Sequence, residues 1–382
     1  MKILQQNANE FVSSKIFFIF WGNVIDIHIE KDPFQIPLTF SKLGFKVHYI
    51  INKYNIDQNT PSNISIYELM DRNIILKYIF IIEKIIKEKP KLIFLYSSRY
   101  TLLLNFILLF LKKFIKYKNI VKLDFNGKIN ELPYNISLSK IFYFLLIITS
   151  DIAIIESYQA KETLLSFYKG YGKHALQKKL YVLPNGLSSE FIRKIQEKLN
   201  SVKKEKKILV VSRIVERKGL YELILAISKI NIKDWKIHIV GPIEDRDYYY
   251  KLLELINKLN LKDKIYFLGK ISEEKLIEEY VSSQIFVLPS KTEGFSIARL
   301  EAMAACLPIV TTNTGGSEIV KNCCGIIIPV DDINALSEAI QLLIHNDELR
   351  EKFSRNACEK IKEYEWENLL SNFLSYINFV TS

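Results

Sequence analysis

The chain has 382 residues, more than one ordinary core holds, so two domains are expected. Hydrophobic residues make up 49% and charged residues 25%, which excludes a disordered or fibrous chain. The net charge of +11 is unevenly held: residues 1–190 carry 25 Lys and Arg against 15 Asp and Glu, and residues 191–382 carry 28 against 27. A basic first half suits nucleic acid or an anionic membrane surface. No helix-turn-helix, zinc-finger or RNP-like pattern favours nucleic acid, so the membrane is the better partner. The first residues lack an apolar run with a small-residue cleavage site, so no signal peptide is expected. The four cysteines, Cys306, Cys323, Cys324 and Cys358, lack C-x-x-C spacing and read as reduced thiols.

The first half alternates strands and helices. Strands are expected at 15–21, 45–51, 91–96, 119–125 and 151–157. Helices are expected at 33–45 (ended at Gly44), 73–90 (stopped by Pro90), 101–118 and 136–149. Such alternation means βαβ units and a parallel sheet. The helix at 101–118 is apolar nearly all round and then basic. Its apolar run, 11 residues, is too short to span a bilayer, which takes roughly 20. Residues 108–118, with Phe110, Phe114 and Tyr117 beside Lys112, Lys113, Lys116 and Lys118, could lie in a membrane interface.

A charged, apolar-poor stretch, KLNSVKKEKK, marks a linker, and the α/β pattern then repeats. Strands are expected at 207–212, 235–241, 264–269, 281–290 and 325–330, with LPIVTT as another. Helices are expected at 220–230 and 273–281, and after Asp332 as N-cap. The domains so drawn are 1–190, a linker 191–206, a second domain 207–355 and a terminal helical segment 356–382.

The most informative stretch is SKTEGFSIARLEAMAACLPIVTTNTGGSEIV, residues 290–320. Glu293 lies in a Gly-containing turn and Glu301 eight residues later on the following helix. Eight helical residues rise roughly 12 Å, so the two carboxylates suit opposite ends of one elongated ligand rather than one metal or one bond. Between them Gly294, Phe295 and Ser296 supply N–H groups at a helix N-terminus, a natural phosphate site. Hydroxyls at both ends and phosphate in the middle describe a nucleotide sugar.

The stretch EGFSIARLEAMAACLPIV resembles the E-x₇-E signature of retaining glycosyltransferases of the GT-B fold, a family that includes bacterial lipopolysaccharide and capsule enzymes. SRIVERKG resembles the family's basic segment on the donor diphosphate, and LPNGLSSEF its P-N-G turn closing the first domain. The resemblance implies two Rossmann-like α/β domains facing a central cleft, with the C-terminal helix returning to the first. It implies a retaining transfer of sugar from a nucleoside diphosphate sugar to an acceptor hydroxyl, by front-face substitution in which the departing phosphate takes the proton. Glu293 would hold the transferred sugar, Glu301 the ribose, and Arg213 and Lys218 the leaving diphosphate. Gly269 and Lys270 would form the base loop, and Gly315, Gly316 and Glu318 the closing turn. No cofactor and no metal are implied, and the acceptor is expected to be a lipid-linked glycan at the inner face of a bacterial plasma membrane.

The first domain departs from the family pattern. Only Gly22 stands where many members have a Gly pair, and LDFNGKINE lacks the family's sugar-contacting His. Gly22, Asp124, Asn126 and the loop residue His28 are therefore the acceptor-side candidates. Asp245-Arg246-Asp247 spells the D-x-D pair of metal-dependent glycosyltransferases, but its setting reads as a solvated loop. The alternatives are a GT-B sugar-nucleotide epimerase and a catalytically silent sugar-nucleotide-binding assembly subunit.

Overall fold

The computed structural model describes residues 14–25, 31–56, 60–70, 72–125, 136–199, 201–321 and 323–381. They divide into two compact units, Met1–Gly186 with Trp366–Ser382, and Leu187–Glu365.

The elements of the first unit run β1 (Lys15–Ile25), α1 (Asp32–Lys42), β2 (Lys46–Asn55), β3 (Ile64–Glu68), α2 (Ile74–Glu88), β4 (Leu92–Tyr96), α3 (Thr101–Leu111), β5 (Lys118–Lys122), α4 (Ile136–Ile148), β6 (Ile152–Ile155), α5 (Tyr158–Ser166), α6 (Gly170–Lys179) and β7 (Leu180–Val182). Its seven strands form one parallel sheet in the order β3-β2-β1-β4-β5-β6-β7. Strand periodicity divides the core into two layers. Phe17 and Ile19 of β1 face Ile81, Leu104, Leu108, Leu146 and Leu164 from α2 to α5. Ile16 and Phe18 face the opposite layer, which holds Phe34, Ile36 and Phe40 of α1.

The second unit runs α7 (Ser189–Leu199), β8 (Lys207–Val211), α8 (Leu220–Ser228), β9 (Lys236–Val240), α9 (Arg246–Lys258), β10 (Ile265–Gly269), α10 (Glu273–Ser282), β11 (Ile285–Leu288), α11 (Ile297–Ala304), β12 (Ile309–Thr312), β13 (Gly325–Ile328), α12 (Ile333–His345) and α13 (Asp347–Lys360). Its six strands are also parallel, in the order β10-β9-β8-β11-β12-β13. One face carries α8, α9 and α12, the other α7, α10 and α11. Side-chain caps fix several helix starts: Asn73 on α2, Ser157 on α5, Ser272 on α10 and Asp332 on α12.

The chain then returns to the first unit as α14 (Trp366–Thr381). Trp366, Leu370 and Phe373 enter the layer of α1. The return thus begins at Trp366, not at 356, because residues 347–360 form α13 in the second unit.

Several expectations are corrected. Residues 191–206 are not a linker throughout, since Phe191, Ile192 and Ile195 give α7 an apolar face buried in the second unit. The helix expected over 101–118 ends at Leu111, and Lys118 already opens β5. Tyr117 is buried, and Lys112 is tied to Asn119 Oδ1 and Asp151 Oδ2, both at 2.6 Å. Of the supposed interfacial group, Phe110, Phe114, Lys113 and Lys116 are the exposed members. Cys306 and Cys358 are not free thiols: they are disulfide-bonded across 52 residues with Cα atoms 4.8 Å apart, inside the usual range.

The outward faces of α2, α3 and α4 are apolar, with Ile75, Ile79, Phe106, Phe110, Leu138 and Ile141 all exposed. No helix among the described residues is long and apolar enough to cross a membrane.

The packing of α14 generates a test. Phe373 is fully buried in the first unit, so Phe373→Ala is expected to cost about 3–5 kcal/mol. Urea unfolding should show a lower midpoint with an unchanged slope; an unchanged midpoint would mean that α14 does not complete this core.

Candidate functional site

The second sheet reverses direction at β8. From it the chain winds one way through β9 and β10, and the other way through β11, β12 and β13. At such a switch point the loops leaving adjacent strands diverge, and a crevice opens at the carboxyl edge. The loops at this one are 212–219, after β8, and 289–296, after β11.

Two backbone features bring the loops together. The N–H of Lys291 donates to the carbonyl of Arg217 at 2.9 Å. Gly219, at φ +68°, packs on the Pro289 carbonyl so closely that any side chain would collide with it. The 3₁₀ turn Glu216–Lys218 thereby delivers its lysine across the crevice. Lys218 Nζ lies 2.5 Å from Glu293 Oε1, with the two side chains 10% and 9% exposed. Ser290 Oγ donates to the same carboxylate oxygen at 2.6 Å, and the Thr312 hydroxyl holds the Ser290 carbonyl. Glu293 is thus fixed from three elements.

Helix α11 starts directly behind this pair. Its N-cap Ser296 makes no side-chain bond to the first-turn N–H groups, which leaves the positive helix end available to an anion. Glu301 lies further along α11, where its Oε2 accepts a 2.6 Å hydrogen bond from the Tyr280 hydroxyl. Tyr280 is fully buried, and burial together with Glu301 raises its pKa well above the ordinary tyrosine value. It therefore stays a proton donor to Glu301 at any working pH.

The other donor-side residues are distributed around this core. Gly269 ends β10 with φ +67° and open space about it, and Lys270 is exposed. Gly316, at φ +75°, abuts the Phe295 ring, and Gly315 presses on the carbonyls of Glu293 and Gly294. Arg213 does not join Glu293: its Nη1 pairs with Glu244 Oε2 at 2.9 Å, both side chains being largely exposed. Asp245 is the N-cap of α9, its side chain accepting the Tyr248 N–H at 2.9 Å. The D-x-D triplet is therefore a helix start and not a solvated loop.

On the acceptor side, Gly22 is inside β1, in the register shift between Phe20 and Asn23, rather than in a loop after the strand. Asp124 is exposed, and its carbonyl accepts from the Tyr143 hydroxyl at 3.0 Å. His28 and Asn126 lie outside the described residues.

The structure adds groups that sequence reasoning missed. At the carboxyl edge of the first sheet Lys122 bridges Asp32 at 2.8 Å and Glu156 at 2.6 Å. Burial disfavours the Lys122 charge, but the two carboxylates override it and its pKa rises. Burial likewise raises Glu156 despite its lysine partner. Arg299 is fully buried on α11. Neither had a short-range signal, because their partners come from distant elements; Tyr280, 21 residues before Glu301, had none either.

With this geometry in place, comparison with known proteins is informative. Residues 191–360 match the family model described as glycosyl transferases group 1. A capsular polysaccharide biosynthesis glycosyltransferase, CapM of Staphylococcus aureus, is 26% identical over 232 residues. That match covers 59% of this chain and 59% of the relative's length. Sucrose-phosphate synthase from Thermosynechococcus elongatus superposes with a TM-score of 0.71 at 19% identity, over 97% of this chain and all of the other. Anabaena HepE, solved in complex with UDP and glucose, superposes at 0.68 with 14% identity, over 96% and 99% of the two chains. Over residues 191–360 the chain is thus similar to group 1 glycosyl transferases, and as a whole it has the GT-B fold.

Proposed function

We propose that the protein transfers a sugar from a nucleoside diphosphate sugar to a hydroxyl of a lipid-linked glycan, with retention at the anomeric carbon. The observation that carries this reading is the Lys218–Glu293 pair facing the uncapped N-terminus of α11, with Glu301 eight residues further on. It provides a cation, a ring of N–H groups and two separated carboxylates along one line. The binding of UDP and glucose by HepE, a protein of the same fold, supports the donor class.

In this reading the diphosphate occupies the α11 N-terminus, Glu301 takes the ribose hydroxyls, and Glu293 the hydroxyls of the transferred sugar. As the C–O bond to phosphate breaks, negative charge grows on the departing oxygen, and Lys218 and the helix N-terminus stabilise it. Arg213 joins them by leaving Glu244. The departing oxygen accepts the proton of the incoming hydroxyl, and the new glycosidic bond forms on the same face.

The first unit supports this acceptor class. Beside the apolar outward faces of α2, α3 and α4, the segment that follows α3 exposes Lys113, Phe114 and Lys116 next to Phe110 on the helix. Apolar rings flanked by cations suit the headgroup boundary of an anionic bilayer. A second copy of the chain would oppose this basic face with another of like charge. A membrane-bound acceptor would be met there.

Three outcomes are expected. Glu301→Ala should weaken nucleoside diphosphate binding by roughly 1.5–3 kcal/mol per lost bond. Tyr280→Phe should weaken it less, whereas Glu293→Ala should spare it and depress sugar transfer; isothermal titration beside turnover assays would show equal diphosphate losses if the two-ends assignment were wrong. Chelators should leave turnover nearly unchanged, and loss in EDTA with recovery in Mn²⁺ would contradict the cationic-clamp reading. Finally, the protein should sediment with vesicles containing anionic lipid. Lys113→Gln with Lys116→Gln should weaken that binding by about 1 kcal/mol per lysine, while Phe110→Ser with Phe114→Ser should remove its salt-resistant part. Indifference to lipid charge in both would sink the membrane claim.

A further inference from the structure

Arg299 stands between the two carboxylates of the donor site, at the third position of α11, and is completely buried. That location opposes a positive charge twice. Burial strips the guanidinium of water, and the positive end of the helix dipole lies beside it. Burial accordingly holds its pKa down to about 10, although Glu293 and Glu318 pull the other way.

Its contacts do not compensate. Nη1 donates to the Gly315 carbonyl at 3.0 Å and Nη2 to the Thr314 hydroxyl at 3.1 Å. Nε is buried with no partner, and among the described residues Arg299 makes no ion pair. Both acceptors are neutral. A purely structural filler would be better served by a neutral side chain, which carries no charge to desolvate.

The Thr314–Gly315 turn that Arg299 grips is itself pressed against the Glu293 and Gly294 carbonyls. The buried charge is thus held rigidly behind the first turn of α11, where the diphosphate is placed in the function proposed above. Water and salt screen it little there.

We propose that Arg299 is a fixed counter-charge for the donor's diphosphate, acting through the first turn of α11 without touching the ligand. The proposal rests on the reading of residues 290–301 as the donor site. It makes the residue a positioning and electrostatic determinant of donor affinity, not a catalytic residue. Its signature is selectivity: removing the charge weakens binding of the phosphates and leaves binding of the nucleoside alone.

The test compares UDP, GDP, ADP, CDP and TDP with their nucleosides, by isothermal titration on the folded full chain. Arg299→Met should lose about tenfold or more in affinity for whichever diphosphate the wild type binds, with nucleoside affinity unchanged. Arg299→Lys, which keeps the charge but not the fork, should stay within about threefold of wild type. If the methionine variant does not fold, Arg299→Gln, neutral but still a donor to the turn, decides in its place. Diphosphate affinity within about twofold of wild type in the neutral variant overturns the proposal. Parallel loss of nucleoside and diphosphate does the same, since that is what a merely structural role predicts. Failure of the wild type to bind any of the five diphosphates would instead remove the donor-site reading beneath it.

Discussion

An ion pair that is almost wholly out of water, Lys218 with Glu293, holds the centre of the second unit together. Such a pair is costly to bury and gains its place only when geometry and further hydrogen bonds satisfy both partners. Here the fold supplies those conditions through three neighbouring parts. Gly219 lets the 3₁₀ turn approach Pro289, Ser290 adds a donor to the carboxylate, and Thr312 fixes Ser290. The pair also sits at the switch point of the sheet, where two diverging loops leave room for a ligand. In the proposed function an incoming phosphate would offer Lys218 a second anion and free part of Glu293 for hydroxyl groups.

The candidate donor site was legible in the sequence to the extent that its parts are close in the chain. Glu293, the N–H groups of 294–296 and Glu301 lie within nine consecutive residues, although helix α11 begins only at Ile297 and Glu293 stands in the loop before it. Lys218 was reached only through the resemblance, since its partner is 75 residues away. Arg299 was in plain view on the motif helix yet uninterpretable, because its acceptors come 15 and 16 residues later, on the turn after β12. Asp245 was misread for a different reason: its bond to the Tyr248 N–H is local, and a capping aspartate before a helix is a recognisable pattern. The disulfide between Cys306 and Cys358 joins the turn after α11 to α13, which no sequence spacing brings together.

Hydrophobicity was a good guide to the sheets and a poor one to the helices of the first unit. The strands alternate faces, so each apolar run in β1, β4 or β6 is buried on both sides. Helix α3 is apolar nearly all round, yet only Thr101, Leu104, Asn105 and Leu108 are buried. A helix on the outside of a single sheet has one side to bury, and the remainder of its apolar surface faces outward. The same is true of α2, where Ile81 and Ile85 carry the packing. The acceptor side stayed obscure because two of its expected residues, His28 and Asn126, lie outside the described residues, and because the Lys122 bridge draws one carboxylate from the start of α1 and the other from the end of β6.

The central claim is that a nucleoside diphosphate binds across the carboxyl ends of β8 and β11. Hydrogen exchange followed by mass spectrometry, with and without a saturating nucleoside diphosphate, tests it most directly. The account predicts slower exchange in peptides covering residues 212–220, 290–301 and 313–318, and no change along β1 to β7. Protection confined to the first unit, or no protection by any of UDP, GDP, ADP, CDP or TDP, would contradict it.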